Sequence, residues 1–214
     1  MRKEEEAGIP SDLYELNKIW TAKKNKMIVL AARASIGKTA FAMTLCSHWR
    51  QQGKRGLFFS LEMDGNELTE RLASIETGID LERIGKLDNA ADIALMGEFI
   101  NSPRNEDLVI YEQFSPKLSE IRIEAIKRNA EKPLDYIVID YCQLIKAPKR
   151  GTREEAVAAI SAAVKGLAKE LNIPVILLAQ LNRGAEEGAP KLSHIRESGS
   201  LEQDADVVIL LDRS

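Results

Sequence analysis

Cysteine is scarce: there are two in 214 residues, Cys46 and Cys142, far apart and with no second cysteine close to either. That spacing argues against a disulfide framework and points to buried thiols in a reducing compartment. No apolar stretch approaches the length of a membrane span, and the start MRKEEEAGIP lacks the core of a signal peptide. The expectation is a soluble, cytoplasmic chain with no membrane partner. An excess of one charge is also missing, since 30 Lys plus Arg against 33 Asp plus Glu leave a net charge of −3. No global field draws the chain to nucleic acid, so any such contact must come from a local patch. His48 has no second candidate ligand nearby and reads as structural or solvated rather than metal-binding. What is present, 44% hydrophobic and 29% charged residues, suits one large globular domain with an ample core.

The rest of the chain is organised around Met27 to Ala40, MIVLAARASIGKTA. An apolar run reads as a buried strand, a short loop follows, and Gly37-Lys38-Thr39 opens a helical pattern. A phosphate-binding loop needs that order. Successive backbone N–H groups and a helix N-terminus attract phosphates, a lysine reaches their outer oxygens, and a hydroxyl ligates Mg²⁺. The usual spacing begins with a glycine, and here that position is Ala32. The competing reading is an ordinary strand-to-helix turn in which Lys38 is a solvated charge.

Before this stretch, residues 1–26 read as a charged lead-in and a short helix capped by Ser11 or Asp12, with Leu13, Leu16 and Ile19 on one side. Lys23, Lys24 and Lys26 form a solvated turn. After it, Phe41, Leu45 and Trp49 recur at helical spacing and Gly53 is a natural stop. GLFFSL is a second buried strand ending at Glu62. An acidic residue just past a strand's carboxyl end sits where open α/β sheets bind ligands. Glu62 is therefore either a base for water attacking a γ-phosphate or a helix-start carboxylate, although Asp64 and Glu67 already have capping-box spacing. Arg71 stands four residues after Glu67, so a surface ion pair is its default role. Residues 79–103 carry no chemistry that the pattern identifies.

A third strand at Asp107 to Tyr111 and an amphipathic helix at Leu118 to Lys132, with Ile121, Ala125 and Ile126 inward, lead to LDYIVID. This buried strand delivers Asp140, the carboxylate that a phosphate-loop NTPase places in the magnesium shell. A strand-ending aspartate is common, but joined to Gly37-Lys38-Thr39 on another strand it becomes specific. The basic run Lys146, Lys149, Arg150 and Arg153 is a solvated loop or a phosphate-backbone contact. Val157, Ile160, Val164, Leu167 and Leu171 define a long amphipathic helix. The next strand ends at Gln180, which can sense a γ-phosphate or cap a turn. Residues 181–200 read as loop, and Val207 to Leu211 is the last strand. Alternating strands and helices imply an α/β fold, a mostly parallel β-sheet with helices on both faces. Its carboxyl edge would collect Ser35 to Thr39, Glu62, Asp140 and Gln180.

The segments AARASIGKTAFAM, FFSLEM, DYIVIDYCQL, KGLAKELNIPVILLAQLNR and HIRESGSLEQDADVVIL, in this order, resemble the RecA-type motor domain of the bacterial and phage replicative helicases of the DnaB family. SLEM, AQLNR and RESGSLEQDAD are far more specific than the phosphate loop. The resemblance runs from about Gly8 to Leu211 and implies a RecA-like P-loop NTPase core over residues 27–214. It implies ATP and Mg²⁺ as cofactors, ATP held by Ser35, Ile36, Gly37, Lys38, Thr39 and Ala40, and Mg²⁺ by Thr39 and Asp140. Glu62 activates the water, Gln180 couples nucleotide state to DNA loops, and Arg71 contacts the nucleotide. Arg196, Glu197 and Gly199 grip single-stranded DNA, which an arginine and a backbone N–H can do without reading a base.

The implied partners are single-stranded DNA, further copies in a ring, hexameric in the full-length context, and a primase and a helicase loader. Ala34 stands where the family usually has proline. Glu186 and Glu187 stand where it is usually basic, which lowers the expected DNA affinity. The family's N-terminal domain and its Lys-x-Arg finger segment fall outside the 214 residues. On the finger's absence, strong ATPase activity is not expected if these residues are the native protein, and if they are a piece of a longer one the missing finger reflects only where the piece was cut. Two alternatives stay open, a RecA-like ATPase of recombination or regulation, and a finger-less module that binds nucleotide or DNA without strong turnover.

Overall fold

Six apolar runs become strands: β1 (Met27–Ala32), β2 (Gly56–Ser60), β3 (Leu108–Glu112), β4 (Tyr136–Asp140), β5 (Val175–Gln180) and β6 (Val207–Leu211). The computed structural model describes residues 8–146, 152–182, 189–195 and 199–213. The strands form one sheet in the order β3-β2-β4-β5-β1-β6, and each neighbouring pair runs parallel. Parallel strands need long crossovers, and the intervening helices cover both faces. The eight helices of the described residues are α1 (Tyr14–Asn17), α2 (Lys38–Gln51), α3 (Gly65–Thr77), α4 (Leu81–Ile84), α5 (Ala90–Ile100), α6 (Leu118–Glu131), α7 (Arg153–Leu171) and α8 (Gly199–Asp204).

Side chains alternate across a strand, so each strand feeds two cores. Val29, Phe59, Ile139 and Leu177 pack with Ile121 and Ala125 of α6 and Val157, Ile160, Val164 and Leu167 of α7. Ile28, Phe58, Val138 and Leu178 face the opposite way, onto Met43, Leu45 and Trp49 of α2 and Leu68 and Leu72 of α3. Burial on both faces explains why β1, β2 and β4 read as continuous apolar runs rather than alternating ones. Gly56 opens β2 because the Tyr136 ring lies where a Cβ would stand. That ring in turn meets Trp49 edge-on with centroids 4.6 Å apart. Cys46 and Cys142 are both buried, and burial pushes the Cys46 thiol up to about 12.

The lead-in differs from the sequence reading. α1 is a single turn without a side-chain cap, and Ser11 instead bonds Asn17 at its far end, Oγ to Oδ1, at 2.8 Å. Leu13 and Ile19 are exposed, Ile19 at 84%, while Trp20 and Ala22 enter the core. Spacing over one turn cannot select a buried face. Long-range ties decide it: Ile9 pairs with Ala22, and Trp49 Nε1 donates to the Pro10 carbonyl at 2.7 Å. Two further departures are local. Phe41 is only partly buried at the start of α2. Residues 199–204, the first two of them read as loop, form α8, anchored by the fully buried Leu201.

Candidate nucleotide site

The register of the sheet puts the strand ends level. Ser60 pairs with Asp140 and Ala32 with Gln180, so the turns after β1, β2, β4 and β5 emerge along one edge. β5 lies between β1 and β4, which sets Gln180 between the phosphate loop and Asp140.

After β1 the chain passes through two left-handed residues, Ser35 at φ 60° and Gly37 at φ 111°. Gly37 is the N-cap of α2, and its carbonyl accepts the first helical bond from Phe41 N–H at 2.9 Å. A side chain at that φ is strained even where space allows it, so glycine is required by the backbone. Lys38 and Thr39 follow as the first helical residues. Lys38 Nζ lies 5.6 Å from the centre of the Tyr141 ring. Thr39 Oγ1 donates to Asp140 Oδ2 at 2.6 Å, joining the start of α2 to the end of β4.

Asp140 is 3% exposed, and its second oxygen, Oδ1, is buried without a hydrogen-bond partner. Burial raises its pKa. The Thr39 hydroxyl and the Lys38 charge work against that, and the Glu62 charge adds to it. These residues fit a magnesium ion. A hydroxyl and a carboxylate are the hard oxygen donors it takes, and the orphaned Oδ1 is an acceptor in want of a cation.

Glu62 sits on the turn after β2, exposed and near enough for its charge to act on Asp140. The turn is pinned by Ser60, whose hydroxyl donates to the Met63 carbonyl at 2.5 Å, and by Leu61 N–H, which donates to the Asp140 carbonyl at 2.8 Å. α3 is capped by Asp64, which accepts from Asn66 N–H at 2.7 Å, so Glu62 is not spent as a cap. Glu67 does not complete a capping box; it pairs with Arg71 at 3.0 Å.

The structure therefore groups Lys38, Thr39, Glu62 and Asp140, with Gln180 on the strand between, and leaves Arg71 in its ion pair. Gly199 is exposed at the first turn of α8. Arg196 and Glu197 lie outside the described residues, as do Lys149, Arg150, Glu186 and Glu187. Ser60, Tyr141 and Gln143 escape the sequence reading because each acts through a turn whose path the pattern does not reveal.

A phosphate loop after one strand of a parallel sheet, its threonine bonded to a carboxylate two strands away, defines the class: a RecA-like P-loop NTPase core. Comparison with known proteins narrows it. The family model for the DnaB-like helicase C-terminal domain matches residues 8–214, and the chain belongs to that family. The replicative DNA helicase DnaB of Geobacillus stearothermophilus is 38% identical over 99% of this chain and 48% of its own length. The replicative DNA helicase DnaC of Bacillus subtilis is 37% identical over 99% and 48%. The chain thus spans about half the length of the curated relatives it matches. A solved DnaB-like replicative helicase, described with its primase interactions, superposes with a TM-score of 0.91 at 30% identity, over 98% of this chain and 52% of that one.

Proposed function

We propose that residues 27–214 are the ATP-hydrolysing motor of a replicative DNA helicase, working in the cytoplasm as one subunit of a ring, hexameric in the full-length protein, that moves along single-stranded DNA. Residues 8–26 serve as a strap on the α2 side of the core. The observation that carries this reading is the bond from Thr39 to Asp140 beside an orphaned carboxylate oxygen, in a chain of the DnaB-like family.

Backbone N–H groups from Ser35 to Ala40 and the Lys38 ammonium hold the phosphates of ATP, with Arg71 released from Glu67 to reach the nucleotide. Thr39 and Asp140 hold Mg²⁺, which neutralises charge developing on the phosphate oxygens. Glu62 takes a proton from the attacking water as its oxygen bonds to the γ-phosphorus and the bond to the β-γ bridging oxygen breaks, releasing ADP. Gln180 reads the γ-phosphate. Arg196, Glu197 and Gly199 hold the DNA strand. A primase and a helicase loader are the expected partners of the complete protein.

The test is steady-state hydrolysis of MgATP with and without oligo-dT. Glu62→Gln is expected to bind ATP as the wild type does and to lose turnover by on the order of a hundredfold or more. Wild-type turnover in this variant would place the base elsewhere.

A further inference from the structure

We infer that Gln143 is a positioning residue that ties the nucleotide site to the arms of the DNA loops through one peptide group, the unit between Gln180 and Leu181. The inference rests on the motor reading above and names a residue that this reading leaves without a role.

Gln143 lies three residues beyond Asp140, in a 3₁₀ turn over Cys142–Leu144. The turn is fixed on both sides, because Cys142 and Ile145 are buried in the core and Lys146 N–H donates to the Pro116 carbonyl at 2.8 Å. From it, Gln143 Nε2 donates to the Gln180 carbonyl at 3.3 Å. The N–H of the same peptide unit, on Leu181, donates to the Ala32 carbonyl at 2.9 Å. Ala32 is the last residue of β1, directly before the phosphate loop. One peptide plane is thereby held from one side by the turn behind Asp140 and from the other by the base of the phosphate loop.

That plane also begins a short ladder. Leu181 pairs antiparallel with Ile195, and Asn182 N–H donates to the His194 carbonyl at 2.8 Å. The segments continuing from this ladder are residues 183–188 and 196–198, the second containing Arg196 and Glu197. Gln143 Oε1 and Asn182 Oδ1 are both buried acceptors without a partner. Buried polar atoms left unpaired carry a cost, so this stretch is held below its full hydrogen-bonding capacity, as a part with a second arrangement would be. A shift of Asp140 or of the phosphate loop reaches the ladder through the 180–181 peptide, and Gln143 is its only side-chain tie among the described residues.

Coupling of two ligands is reciprocal, so it can be read as a ratio of affinities. The affinity of the full chain for a fluorescent non-hydrolysable ATP analogue with Mg²⁺ is measured with and without saturating oligo-dT. The wild type is expected to show a ratio of roughly fivefold or more, the lower end of ordinary coupling. Gln143→Met, which keeps length and loses the donor, is expected to bring the ratio close to one. Gln143→Glu is expected to do the same at alkaline pH and to regain the ratio, relative to wild type at each pH, as acid gives the introduced carboxyl group an O–H donor. Packing alone would not produce that recovery. A wild-type ratio near one would overturn the motor reading and this inference together. A coupled wild type with an equally coupled Gln143→Met would overturn the inference alone. Lost coupling that acid does not restore in Gln143→Glu would overturn the donor role.

Discussion

Asp206 and Asp140 stand at opposite ends of the same sheet and are treated in opposite ways. Asp206 precedes β6 at the amino-terminal edge. Burial pushes its pKa up, but Lys165, the Met27 N–H at 2.8 Å and Lys26 at 3.1 Å outweigh that and hold it below its ordinary value. Asp135, also at that edge, accepts Arg55 N–H at 2.8 Å while its own N–H donates to the Arg55 carbonyl. At the carboxyl edge, Asp140 keeps one partner, an orphaned oxygen and a raised pKa. At the amino-terminal edge these carboxylates are paired and serve the fold. The other edge keeps polar capacity in reserve, as a site awaiting phosphates and a cation requires.

The comparison can be broken at several strengths. The largest expected difference is in turnover. Asp206→Asn should hydrolyse MgATP within about twofold of wild type, whereas Glu62→Gln loses on the order of a hundredfold or more. Equal losses would erase the distinction between the edges. Next is Gly37→Ala. Its φ of 111° makes a side chain strained although the nearest atom to a Cβ would be 4.0 Å away. The expected cost is about 1–3 kcal/mol, read as a lower melting temperature, as weaker ATP binding, or as both where the loop relaxes.

The smallest effect is the most discriminating, because its sign differs. In metal-free buffer at pH 7, Asp140→Asn should raise the melting temperature and Asp206→Asn should lower it. With a folded pKa above its ordinary value of 3.8, Asp140 binds protons more readily in the folded chain. Stability therefore falls as pH rises through that window, and the gain from Asp140→Asn disappears in acid below it. Asp206 is the reverse, since its folded pKa lies below 3.8. Its contribution is present above that value and is lost as pH falls through the folded one. A lower melting temperature in both variants would show that both carboxylates are structural.

Much of this contrast was legible in the sequence. The strands announce themselves because burial on both faces leaves continuous apolar runs, and α7 because Val157, Ile160, Val164 and Leu167 keep one register over about three turns. Gly37-Lys38-Thr39 and Asp140 could be paired because a parallel sheet brings carboxyl ends together whatever its strand order. Local pattern carried less where long-range ties decide the outcome. Leu13 and Ile19 mimic an apolar face over one turn, yet the Ile9–Ala22 pairing turns Trp20 inward instead. The bond from Gln143 to Gln180 depends on a 3₁₀ turn that no periodicity marks. Arg71 was legible both as an ion pair and, by resemblance, as a nucleotide ligand, and the structure holds it in the first of these.

The central claim is that the carboxyl edge holds a nucleoside triphosphate through Lys38. Calorimetric titration of MgATP into the wild type and Lys38→Ala tests it most directly. The predicted result is saturable binding to the wild type and a loss of on the order of a hundredfold or more in the variant, which takes away a charge-assisted phosphate contact. Affinity within about threefold of wild type in Lys38→Ala, with the fold intact by circular dichroism, would contradict the account.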